Sequence, residues 1–362
     1  MSTTRTTQDP FTFWSDQFSK SVKRSWNFSR HTLGIGRAKV GQSPRDEIWR
    51  NGKSALYRYQ SDQVTQRPPV LLVMSLVSRG YILDLQPGHS FVEHLLGEVF
   101  DVFTLAWGVP DAEDANNTLE HYVDDMIPAA VGTIDQMTGG HGVSVFGYCF
   151  GGVLSLLYAA RHTDDPVRNL MVMATPVDFE KMPEAMKGVG RNGIDPESIL
   201  DHTGNVPASA VRASFTMLTP TADFATVLDF FEHLGDDKFL ESYQAMTQWT
   251  RNHIPFPGAA FLQTADLLQD RNGFMTGEIV LGGDRVDLSA ISVPFANVVA
   301  EKDHIVPQKA ALPAIDLVGS ADKTEILLPA GHVGLIVGNN GRTRCMPAMS
   351  RWLAEHSTPT AD

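Results

Sequence analysis

Short apolar runs alternate with amphipathic stretches along most of this chain, and the two periods mark different elements. Val70–Met74, Val99–Leu105, Val143–Phe146 and Leu170–Ala174 are strand-length and mostly apolar, as strands buried on both faces are. Ser54–Tyr59 reads as an entering strand. Phe91–Leu96, the stretch "NTLEHYVDDMIPAAVGTIDQM" over 117–137 and Val153–Ala160 have the length and composition of helices. This alternation predicts the α/β class: a mostly parallel sheet flanked by helices on both faces.

The rhythm changes near residue 177. Up to about 285 the chain is rich in Met, Phe and Leu, with helical stretches such as "TADFATVLDFFEHL" and no clear strand alternation. An inserted helical cap over 177–284 is expected, dividing the core into 58–176 and 285–358. Strand rhythm returns with "VPFANVVAEKDHIVP" and "TEILLPAGHVGLIVG". The first ten residues and "HSTPTAD" read as tails. Residues 1–57 form an N-terminal segment with ten basic and four acidic side chains. There Phe11, Trp14, Phe18 and Val22 recur at spacings of three or four beside Lys20, Lys23 and Arg24, predicting a basic amphipathic helix within residues 10–35. Such a helix suits a lipid-like or polymer surface, a partner helix, or the protein's own core.

Composition narrows the field. At 362 residues, 43% hydrophobic and 20% charged, the chain can bury a large core. Lys plus Arg number 29 against 42 Asp plus Glu, a net charge of −13, which argues against nucleic acid as a partner. Only Cys149 and Cys345 are present, so no disulfide framework is implied and a reducing cytoplasm fits. The start "MSTTRTTQDPFTFW" lacks a signal-peptide pattern, and no apolar run approaches the roughly 18 residues of a membrane span. The expectation is a soluble intracellular protein.

One stretch carries chemistry. In "HGVSVFGYCFGGVLSLLYAA", Cys149 stands between a strand and a helix, with Gly147 and Gly151 two residues to either side and Gly152 behind. A tight, glycine-flanked strand-to-helix turn is the nucleophile elbow of the α/β-hydrolase fold. The helix start turns its free N–H groups and positive dipole toward the sulfur, and the thiolate is the reactive species. The backbone N–H of Phe150 is then placed to stabilise an oxyanion. A buried structural cysteine is the plainer alternative, and the glycine frame argues against it. In this fold the acid and base follow the nucleophile in chain order. Asp303, after a strand in "VVAEKDHIVP", suits the acid, and His332, in the glycine-flanked loop of "LLPAGHVGLIVG", suits the base. His304 is a rival or supporting base, but its side chain should point away from a partner of its own neighbour. The second oxyanion donor is expected from the loop "MSLVSRGYIL", as the backbone N–H of Leu76 or Val77.

These residues resemble the polyhydroxyalkanoate synthases, especially the short types that work with a second subunit. The likeness runs from about residue 40 to 352. "PPVLLVMSLVSRGYILDL", "LAWGVPDAEDANNTLEHYV", "FGYCFGG", "WTRNHIPFPGAAF", "EKDHIVP" and "GHVGLIVG" are similar to that family's segments and stand in its order. The resemblance implies that Cys149 is acylated, with His332 its base and Asp303 the third catalytic residue. It implies transfer of an (R)-3-hydroxyacyl group, short-chain by expectation, from coenzyme A to Cys149 and onto a growing polyester chain. It further implies a cytoplasmic polymer granule as working surface, a homodimer, a second synthase subunit, and no metal or redox cofactor. A thioester on sulfur stays reactive enough for a hydroxyl to attack, which accounts for cysteine in place of serine. His332 or Asp303 would assist that hydroxyl. Water is the competing acceptor, which gives a cap its purpose. Three positions depart from the family: Ala106 where Asp is common, "LEHY" where a paired-acid "DDY" is frequent, and Ser78 for a usual Asn. A dienelactone-type cysteine hydrolase would share the elbow but lack the cap, and a non-catalytic granule scaffold would not need Cys149, Asp303 and His332 together.

Overall fold

The computed structural model describes residues 38–61, 63–190, 193–218 and 236–359. The basic helix expected within residues 10–35 and the "TADFATVLDFFEHL" segment lie outside them. Among the described residues, nine strands make one sheet. In chain order they are β1 (Arg45–Asn51), β2 (Ser54–Tyr59), β3 (Gln66–Val73), β4 (Phe100–Ala106), β5 (Val143–Tyr148), β6 (Val167–Met173), β7 (Phe295–Ala300), β8 (Lys323–Leu328) and β9 (Thr358–Pro359). Across the sheet they run β1-β2-β4-β3-β5-β6-β7-β8, with β9 pairing to the start of β3. β1 and β2 are antiparallel to their neighbours, and β3 to β8 pair with one another in parallel. This is the α/β-hydrolase sheet that the alternation and the elbow predict.

The strands differ from the sequence reading where burial hid the signal. β5 and β7 are buried along their whole length, as an uninterrupted apolar run requires. β1 has mostly exposed or half-buried side chains at the sheet's edge, so it offers no such run. β4 begins at Phe100, one residue later than expected. Val99 is a left-handed turn residue, φ 59, whose carbonyl accepts from the amides of Thr65 (3.0 Å) and Gln66 (3.3 Å).

The longer α-helices are α1 (Phe91–Gly97), α2 (Ile127–Met137), α3 (Phe150–Arg161), α4 (Ala208–Leu218), α5 (Asp237–Arg251), α6 (Gly258–Gln263) and α7 (Met346–Glu355). Val153, Leu154 and Leu157 of α3 pack with Leu71, Val145 and Leu170 on one face of the sheet. Phe91 and Leu95 of α1 and Trp352 and Leu353 of α7 join Phe146 and Met171 on the other. The helix expected over 117–137 divides into a π-helical turn, His121–Met126, and α2. Pro128 lies in the first turn of α2, and its missing N–H and bulky ring favour the wider winding behind it.

Between β6 and β7 the chain leaves the sheet and builds the insert: α4, α5, α6, a π-helical turn Thr264–Asp270, and a pair of two-residue strands, Val280–Leu281 with Asp284–Arg285. The insert is stitched to the segment before α2. Gln263 accepts from the Leu119 amide (2.6 Å) and donates to Glu120 (2.8 Å), and the Gly282 amide donates to the other Glu120 oxygen (3.0 Å). The acidic residue of "LEHY" is therefore an anchor for the insert. No helix among the described residues is long and apolar enough to cross a membrane.

Candidate active site

Cys149 is the single residue between the end of β5 and the start of α3. Its backbone sits at φ 57, ψ −122, a strained region for a residue with a side chain, at a cost of about 1–3 kcal/mol. Two hydrogen bonds hold it there. The Cys149 amide donates to the Met173 carbonyl (2.8 Å), and the Cys149 carbonyl accepts from Gly152 (2.9 Å). The glycines are sterically required. A Cβ on Gly151 would fall 2.2 Å from the Val73 carbonyl oxygen, and one on Gly152 would fall 1.9 Å from Thr175 Oγ1. The start of α3 thus presses directly against the end of β3 and the chain leaving β6. The amides of Phe150 and Gly151 open the helix and have no intrahelical acceptor, next to the half-buried Cys149.

Asp303 follows β7 and His332 follows β8, and the sheet brings both to Cys149. His332 Nδ1–H donates to Asp303 Oδ2 at 2.7 Å, and the imidazole lies near enough to Cys149 to feel the charge of its sulfur. Asp303 Oδ1 accepts from the amides of Ile305 and Val306, each at 2.8 Å. The carboxylate is fully buried and the histidine only 7% exposed. Burial opposes a charged imidazole, but the charges of Asp303 and Cys149 and the hydrogen bond to Asp303 outweigh it, raising His332 to about 10. His304 is exposed beside its buried neighbour, in the orientation expected of a residue outside the cluster.

Tyr148 is a member that the sequence reading missed. Its ring stacks on His332 (centroids 5.2 Å apart, 30° between planes), and its hydroxyl donates to the His332 carbonyl at 3.3 Å. Burial first, then the charges of Cys149 and Asp303, push its phenol well above the ordinary range, so it stays neutral.

Leu76 and Val77 lie in the loop after β3, whose root at Met74 abuts Gly151 at the start of α3. Leu76 is buried, and the Val77 amide donates to Ser75 Oγ at 3.4 Å. The root of the loop is tied to the core by Trp107 Nε1, which donates to the Met74 carbonyl at 2.8 Å. Its tip is tied to the insert. Trp249 Nε1 donates to the Arg79 carbonyl (2.8 Å), Asn252 to the Tyr81 hydroxyl (3.3 Å), and His253 Nδ1 and the Ile254 amide to the Val77 carbonyl (3.2 and 3.3 Å). Phe256 then packs edge-on against Phe150, with centroids 5.5 Å apart. The segment "WTRNHIPFPG" therefore covers the elbow. Among the described residues, no group of three or more His, Cys, Asp or Glu side chains is disposed to hold a metal ion.

Comparison with known proteins agrees with the fold. The family model described as "alpha/beta hydrolase fold" matches residues 68–339. A "Poly(3-hydroxyalkanoate) polymerase subunit PhaC" of Haloferax mediterranei is 33% identical over 96% of this chain and 71% of its own. The protein of that name from Allochromatium vinosum is 34% identical over 87% of this chain and 90% of its own. Among solved structures, a soluble variant of monoglyceride lipase from Saccharomyces cerevisiae superposes with a TM-score of 0.53 at 15% identity. The superposition covers 88% of this chain and 97% of the lipase, a likeness of fold.

Proposed function

The chain belongs to the poly(3-hydroxyalkanoate) polymerase PhaC family, and on that premise we propose that it builds polyester from (R)-3-hydroxyacyl-CoA through an acyl thioester on Cys149. The observation that carries the reading is Cys149 at a strained elbow beside the buried, hydrogen-bonded pair His332–Asp303. His332 takes the Cys149 proton, which gives the reactive thiolate beside an imidazolium. The Cys149 sulfur attacks the thioester carbon, and the oxyanion is held by the Phe150 amide and an amide at Leu76 or Val77. As the intermediate collapses, the bond to the CoA sulfur breaks, and His332 gives its proton to that sulfur and becomes neutral. The neutral imidazole then takes the proton of the acceptor's 3-hydroxyl as its oxygen attacks the Cys149 thioester. The ester forms, the thiolate leaves, and thiolate and imidazolium are restored.

His332 carries the proton in both halves of the cycle, as the acid when CoA leaves and as the base when the hydroxyl attacks. Both oxygens of Asp303 are already engaged, one by the imidazole and one by two amides, so its part is to orient and to stabilise charge. The thioester supplies the activation, so the scheme calls on no resident cofactor. The relatives' designation as a subunit supports a second synthase subunit as partner. A homodimer, work at a cytoplasmic granule surface and a short-chain substrate such as 3-hydroxybutyryl-CoA complete the proposal.

Cys149→Ala is expected to abolish CoA release from (R)-3-hydroxybutyryl-CoA with folding intact. Removal of a nucleophile costs several powers of ten, so retention of about a tenth of the activity contradicts the scheme. Wild type is expected to yield CoA and insoluble polymer. CoA with only soluble 3-hydroxy acid would establish a hydrolase instead.

A further inference from the structure

We propose that His253 and Trp249 are positioning residues, holding the loop after β3 so that its amide meets the oxyanion formed on Cys149. The inference rests on the acyl transfer proposed above, and four distances point to it. Val77 is gripped at its carbonyl, which accepts from His253 Nδ1 (3.2 Å) and the Ile254 amide (3.3 Å), while its amide makes only a long contact to Ser75 Oγ (3.4 Å) and can turn to an oxyanion. Two residues on, the Arg79 carbonyl accepts from Trp249 Nε1 (2.8 Å). A carbonyl can only accept, so the Nδ1 of His253 carries the proton in this contact. The imidazole is itself held, stacked on Phe215 at 4.9 Å with 7° between the rings. It is half-buried, and burial lowers its affinity for a second proton, which keeps it a neutral donor.

The physical consequence follows from how an oxyanion site works. Its amides must lie about 2.7–3.1 Å from an oxygen that exists only in the tetrahedral intermediate. Two donors on one carbonyl fix the plane of the Val77–Ser78 peptide, which limits how far Val77 and the amide on its other side can swing. The root of the loop is fixed by Trp107, and its tip by the insert. A seated insert and a formed oxyanion site are thereby one state, in which water is excluded when the thioester is most reactive.

The test compares two reactions of the same sulfur in the full-length protein. Acylation by p-nitrophenyl acetate passes through an oxyanion, in which the sulfur bonds to the acetyl carbon and p-nitrophenolate leaves. Alkylation by iodoacetamide is a displacement of iodide with no oxyanion. His253→Leu is expected to slow single-turnover acylation about tenfold or more, within the range that an ångström of misplacement produces, and to leave alkylation close to wild type. His253→Asn, which offers an amide N–H near the Nδ1 position, should recover most of the rate. Trp249→Phe keeps an aromatic ring and removes the donor, and should slow acylation in the same direction.

Unchanged acylation in both His253→Leu and Trp249→Phe would overturn the proposal. So would a parallel fall of acylation and alkylation, which would mean general damage to the cluster. Because the probe is a simple ester, failure of wild type to use (R)-3-hydroxybutyryl-CoA would count against the proposed function and leave this test intact.

Discussion

His332 is buried where an isolated imidazole would be neutral, yet it keeps its proton to about 10, because the carboxylate of Asp303 and the sulfur of Cys149 flank it. The folded value lies above the ordinary 6.5, so this proton's contribution to stability is complete below about pH 6.5 and is lost as pH rises through about 10. NMR titration of the His332 ring should give a midpoint near 10 in wild type. Asp303→Asn should bring it down by more than about one unit, since a buried opposite charge at hydrogen-bond distance shifts a titration by about 1–3 units. An unmoved midpoint would contradict the pairing. Residue types, glycine frames and chain order made Cys149, Asp303 and His332 readable from sequence, because the fold imposes that order on its acid and base. Tyr148 was not readable. An aromatic at the end of a buried strand looks like core, and its contact is with a histidine 184 positions later.

At the scale of elements, the elbow works because a helix and two strands meet with no side chain between them. Gly152→Ala should lower the unfolding midpoint measurably, since its Cβ would fall 1.9 Å from Thr175 Oγ1 and overpacking costs about 1–3 kcal/mol. Adding Thr175→Ala should recover part of that loss, giving a non-additive pair in urea unfolding. Strict additivity would mean the helix start does not press there. The central strands were legible because burial on both faces forces a continuous apolar run. Edge strand β1 was not, because exposed side chains erase the run while backbone pairing to β2 remains. The break ahead of α2 needed attention to Pro128, whose cost falls on the turn behind it. The "WTRNHIPFPG" segment stood out by resemblance, but its grip on the loop after β3 links positions about 170 residues apart that no local pattern connects.

At the scale of the whole molecule, a large insert shares an apolar core with the sheet and is registered on it by a few polar stitches. Gln263→Ala removes two of them, at a cost of about 1–3 kcal/mol. It should also raise the share of product appearing as soluble 3-hydroxy acid, measured by comparing free acid with precipitated polymer at equal CoA release. An unchanged partition would mean that these stitches do not control water entry. The broad division into sheet and insert followed from the change of rhythm near residue 177, whereas the stitches depend on three-dimensional proximity. The insert's place, between β6 and β7, has one more consequence. Cys149, Asp303 and His332 are rooted after β5, β7 and β8, so the machinery proposed to make and break bonds is inherited with the sheet. Descent or design can therefore retailor the upper storey for a different monomer without relearning the reaction, provided the new piece still reaches down with a donor for Val77 and another for Arg79.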